Sequence, residues 1–201
     1  MAAILTSIRN TVIAGIVLAV IMVVVLMYWH AGSIVFDMAW ATFMVRWLHV
    51  LSATMWIGIL WYFNFVQIPT MPSIPDELKP AIGKHIAPAA LFWFRWGAMA
   101  TIVTGLLLAW MSGYIVDAIA LGLTDGVPKH TAIGIGMWLG AIMWFNVWFI
   151  IWPAQQRALG IVEVDAASKA ASARTAMLFS RTNTLLSFPM LYAMVSAQNL
   201  Y

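Results

Sequence analysis

The sequence predicts an all-α integral membrane protein. Five transmembrane helices are expected, four of them forming a bundle built from a duplicated two-helix unit, with one further N-terminal helix. Three observations lead there. The chain of 201 residues is 64% hydrophobic and only 8% charged, whereas a soluble domain carries about 25% charge. Its apolar runs are long enough to cross the ~20 residues of a hydrocarbon core. Finally, Met55-Trp56-x-Gly58 and Phe63-Asn64 recur as Met137-Trp138-x-Gly140 and Phe145-Asn146, all at a shift of 82 residues.

The elements follow in order. Thr11 to Trp29 is an unbroken apolar run of 19 residues after Arg9. It exceeds the ~7–15 residues of a signal-peptide core, so it reads as an uncleaved first span rather than a leader cut near Ala31-Gly32-Ser33. The second helix is expected at about 41–67. Pro69, Pro72, Pro75 and Pro80 then predict a stiff, non-helical loop. The third helix is expected at about 88–112, with Pro88 in its first turn. The fourth runs from about 130 to 152 and stops before Pro153. Asp165 is a plausible N-cap for an Ala-rich lead-in, and the fifth span follows at about 175–197. The whole chain, 1–201, reads as a single membrane domain.

Loop charge sets the expected orientation. Arg9, Lys79, Lys84, Arg157, Lys169 and Arg174 fall on one side; Lys129, with Arg46 at a helix edge, falls on the other. The N-terminus is therefore expected in the cytoplasm and the C-terminus in the periplasm of a bacterial inner membrane. The scattered basic residues carry no nucleic-acid signal. No cysteine is present, which excludes disulfides, iron–sulfur clusters, thiolate zinc sites and a covalently attached c-type haem. There is no phosphate-binding glycine loop, acid pair or nucleophile triad.

The second helix carries the candidate chemistry. With ~100° per residue and His49 at zero, Trp56, Leu60 and Gln67 fall within about 20° of His49, and Arg46 and Asn64 about 60° away. Polar groups gathered on one stripe of a spanning helix normally face a bundle interior, a cofactor or water. A neutral imidazole is a good haem-iron ligand, and Trp56 lies on the same face as a wall for the ring. The plainer alternative is a buried His49 bonded to a backbone carbonyl or to Asp37. His130 is the candidate second axial ligand, although Thr131, not His130, is the repeat partner of His49. His30 and His85 read as boundary residues. Arg46 either snorkels or holds a haem propionate or an anionic substrate. Arg95 and Arg181 read as snorkelling cations. Asn64 and Asn146 read as interhelical hydrogen-bonders, and Ser180 to Thr184 as a buried polar network, a polar ligand site or a solvated helix start.

Three stretches, RWLHVLSATMWIGILWYFNFVQ, MWLGAIMWFNVWFIIWPAQQ and ASARTAMLFSRTNTLLSFPMLYAM, resemble the membrane domain of the PuuD-type urate hydroxylase family. The His49-x6-Trp56-x-Gly58 pattern is also similar to the broader CopD-like and HemJ-like membrane proteins, in which haem b recurs. The resemblance implies a membrane redox role with His49 as the leading functional histidine. Urate hydroxylases of this kind carry a C-terminal cytochrome c domain, and this chain has no Cys-x-x-Cys-His. Electrons would then leave through a separate cytochrome c or quinone. The rival reading is a non-catalytic subunit of a larger respiratory or photosynthetic complex, partnered by membrane lipids and other subunits. A transporter of copper or a small anion is a third.

Overall fold

The computed structural model describes residues 2–29 and 35–201. His30 and the Ala31-Gly32-Ser33 segment lie outside the described residues. Among those described, every regular element is helical. The chain divides into two compact units, Met1–Phe43 and Met44–Tyr201.

The first unit holds a short turn, Ala2–Leu5, then helix α1, Ile8–Trp29. The Thr11 hydroxyl donates to the Ser7 carbonyl at 3.0 Å and extends the helix back past Arg9 and Asn10. Helix α2 starts at Met38, where the Asp37 carboxylate accepts the Trp40 N–H at 2.9 Å. That is ordinary N-capping. Asp37 thus serves the helix start, and the hydrogen-bond partner found for His49 is instead a backbone carbonyl, described below.

The second unit is a four-helix bundle. Its long helices are α2 (Met38–Ser73), α3 (Lys79–Met111) and α5 (Pro128–Ala158), with α6 at Ala166–Asn199. A short α4, Ile115–Ile119, lies in the α3–α5 connection. Together with α1, the helices α2, α3 and α5 are long and apolar enough to cross a bilayer. α6 is long enough, but its buried face is polar: Ser172, Ser180, Asn183, Ser187 and Ser196 all point inward.

The prolines do not break the helices where the sequence suggests. The expected loop from Pro69 to Lys84 shrinks, because α2 continues through Pro69 to Ser73 and α3 begins at Lys79. α5 likewise runs past Pro153 to Ala158. Three of the long helices, α2, α3 and α5, each contain a π-helical turn: Tyr62–Gln67, Ile82–Ile86 and Asn146–Ile151. Each turn ends two residues before a proline, namely Pro69, Pro88 and Pro153. Proline lacks the N–H for the i−4 carbonyl and its ring crowds that carbonyl. A widened turn just upstream relieves both problems without ending the helix.

The core gathers Trp56, Leu60, Phe63, Phe94, Met143 and Val147. α3 packs closely on the α2 backbone at Gly97, where a Cβ would stand 3.3 Å from the Trp56 backbone nitrogen. Phe63 meets Phe94 edge-on at 6.0 Å. α5 packs along α6, with Gly136 against the Met194 side chain. The motif shared by α2 and α5 does not give equivalent positions. Trp56 is 1% exposed, while Trp138 is 49% exposed and donates to the Ile119 carbonyl at 3.0 Å.

Candidate functional site

One end of the bundle collects most of the residues singled out from the sequence. His49 projects from α2 toward α3. Its Nδ1 lies 3.0 Å from the Thr101 carbonyl and 3.2 Å from Thr104 Oγ1. A carbonyl can only accept, so Nδ1 carries the proton and Nε2 keeps its lone pair. Among the described residues Nε2 has no hydrogen-bond partner. Gly105 makes room for the ring, since a Cβ there would stand 2.9 Å from His49 Cε1. Thr101, Thr104 and Gly105 form one stripe on α3, and that small polar patch was the available sequence signal for them.

Arg46, about one turn above His49, donates through Nη1 to Gln198 Oε1 at 2.7 Å and so ties α2 to the end of α6. Trp56 is fully enclosed in the core, and its indole N–H finds no acceptor among the described residues.

His130 opens α5 and is held from the preceding loop. Its Nδ1 is paired with Asp125 Oδ2, and the other Asp125 oxygen accepts the Val127 N–H at 3.1 Å. The Val127 N–H bond, then the His130 contact, hold the Asp125 carboxyl below the usual carboxylate range. Thr124 donates to Asp117 at 2.7 Å. Asp117, Asp125 and His130 thereby bring their ligand atoms within 4.8 Å of one another. Tyr114 stacks on the His130 ring at 5.6 Å. Burial raises the Tyr114 phenol above its ordinary value, and the nearby Arg46 charge opposes this. Arg46, Tyr114 and His130 therefore belong to one neighbourhood. The two aspartates carry no sequence signal of their own, because exposed loop acids are common.

A polar seam runs through the middle of the bundle. Asn64 Nδ2 donates to Ser180 Oγ at 2.7 Å, and Trp61 Nε1 to Ser187 Oγ at 3.0 Å. Asn146 Nδ2 donates to Asn183 Oδ1 at 2.8 Å, and Asn183 Nδ2 to the Met143 carbonyl at 2.9 Å. The asparagines thus join helices, and the Ser180–Thr184 cluster splits into a buried pair, Ser180 and Asn183, and exposed Arg181 and Thr182. Arg95 lies over the Trp152 ring at 3.3 Å, and His85 is exposed.

A sequence-family model described as urate oxidase N-terminal matches residues 111–200. The match takes in His130 and the α5–α6 pair but not Arg46, His49 or Trp56. No curated protein and no solved structure matches the chain.

Proposed function

We propose that this chain is a urate-hydroxylase-like membrane redox protein. It holds haem b at the His49 end of the bundle and passes electrons to a separate cytochrome or quinone. The observation that carries this reading is the His49 geometry. A metal-binding imidazole usually donates its second N–H to a carbonyl or carboxylate, which fixes the tautomer and aims the free nitrogen. The Thr101 carbonyl does this for His49, and Asp125 does it for His130. Both rings suit the donor set of a haem, and His49 and His130 are the residues that would hold it. Haem iron, when bound, would supply one-electron redox chemistry.

The chain's own residues would do the rest. Gly105 keeps the berth of the His49 ring open. Arg46 is the cation that would pair with a propionate, alongside its bond to Gln198. The orphaned Trp56 N–H offers a donor inside the core. Loop charge puts this end on the periplasmic side and the N-terminus in the cytoplasm.

An optical spectrum of the purified protein tests the proposal. A reduced-minus-oxidised haem b signal is expected. It should disappear in His49→Ala and change ligation state in His130→Ala. A second reading, an accessory subunit of a larger membrane complex, is favoured by the same His49–Thr101 bond, because a purely structural histidine makes that bond too. A colourless protein that copurifies in fixed ratio with other subunits would replace the first reading with the second.

A further inference from the structure

At the opposite end of the bundle lies a groove of about 570 Å³ between the end of α5 and the first turns of α6. Its lining is mixed in chemistry. Phe149, Ile150, Pro153 and Arg157 line it from α5, and Ser172 and Thr175 from α6. Arg157 makes no ion pair among the described residues. Ser172 is 8% exposed, and among the described residues its hydroxyl has no hydrogen-bond partner, unlike Thr175, which donates to the Ala171 carbonyl at 3.0 Å. Lys169 Nζ lies beside Gly160 on the connecting turn, 3.7 Å from where a Cβ there would stand. The acids on this turn are Glu163 and Asp165. Both Asp165 oxygens are taken by Ser168, through its N–H and its hydroxyl, as the α6 cap.

The groove therefore offers, among the described residues, a guanidinium without an ion-pair partner and a hydroxyl without a hydrogen-bond partner, beside an apolar wall. We propose that it seats an anionic phospholipid. The phosphodiester would meet Arg157 and the Ser172 hydroxyl, and an acyl chain would lie along Phe149 and Ile150. Free phosphate shares the headgroup chemistry but has no use for the apolar wall. The depth is right for a headgroup. The helices of the bundle, at 31 to 36 residues, exceed the ~20 residues that a hydrocarbon core takes. Basic clefts between helices on the lysine- and arginine-rich side are where anionic headgroups bind. The inference rests on the bilayer reading and not on the haem.

The test uses the full chain purified in a non-ionic detergent. Dioctanoyl phosphatidylglycerol, dioctanoyl phosphatidylcholine and inorganic phosphate are titrated separately, and binding is followed by native mass spectrometry and thermal unfolding. Phosphatidylglycerol alone should bind and raise the unfolding midpoint. Arg157→Gln should weaken it about fivefold, the worth of one interfacial cation, and Arg157→Lys should restore most of the loss. Ser172→Ala should weaken it about threefold, as for one hydrogen bond. Equal binding of phosphatidylcholine, equal binding of inorganic phosphate at the same concentration, or an Arg157→Gln variant that keeps its preference would each overturn the proposal. Alkaline carbonate extraction of membranes reads the bilayer assumption separately. Release of the chain would sink that assumption, whereas retention without a phosphatidylglycerol preference sinks only the groove.

Discussion

α2 and α5 carry the same words in different grammar. Both hold Met-Trp-x-Gly followed by Phe-Asn, 82 residues apart. Yet Trp56 and Phe63 are 1% and 8% exposed, while Trp138 and Phe145 are 49% and 50% exposed. The burial patterns agree at a shift of 83 instead. Ile57, Leu60 and Phe63 are buried, and so are Gly140, Met143 and Asn146. The prolines agree at 84, Pro69 with Pro153. One residue of offset turns a side chain by about 100°. A matching motif therefore brings a matching backbone event, the π turn before proline, but faces about 100° apart reach the core.

The largest expected contrast comes from the two tryptophans. Trp56→Ala should cost ~3–5 kcal/mol, the usual penalty for emptying an aromatic site in a core. Trp138→Ala should cost under ~1.5 kcal/mol, the worth of one hydrogen bond. Thermal unfolding in detergent measures both, and equal losses would restore the motif equivalence. Next come the glycines. Gly105→Ala must displace the His49 ring and should cost ~1–3 kcal/mol by overpacking. Gly140→Ala meets nothing within 4 Å and should be neutral or stabilise by up to ~1 kcal/mol.

The asparagines follow. Asn183→Ala removes two bonds from a fully buried group and strands the Asn146 amide, for ~1–3 kcal/mol. Asn64→Ala should cost less, because Asn64 Oδ1 is already unpartnered among the described residues. The smallest effect is acid loosening of α6. Ser168 bonding lowers the Asp165 pKa, so its capping contribution is complete above the ordinary carboxylate value. It is lost as the pH falls through the lowered one. Hydrogen exchange at Ser168 and Lys169 should quicken over that acid window, and Asp165→Ala should abolish the pH dependence.

Much of this was legible in the residues. Apolar runs placed α1, α2, α3 and α5, and Asp165 marked the start of α6. The His49 stripe pointed into the bundle, and the asparagines were correctly assigned to helix joining. The helix ends at Pro69 and Pro153 were not legible, because a proline reads as a stop unless the widened turn before it is known. Thr101, Thr104 and Gly105 escaped notice because hydroxyls and glycines on an apolar helix resemble filler until a ring is seen resting on them. Asp125 and Asp117 gain meaning only when the chain folds back on His130.

The π turns have one more consequence. Over a stretch such as Tyr62–Gln67, the chain falls behind a regular helix by roughly one residue, about 100°. Any angular map drawn from His49 is thus sound as far as Trp61 and slips out of phase beyond it. Gln67, which such a map sets directly beneath the imidazole, belongs to a different side of the rod.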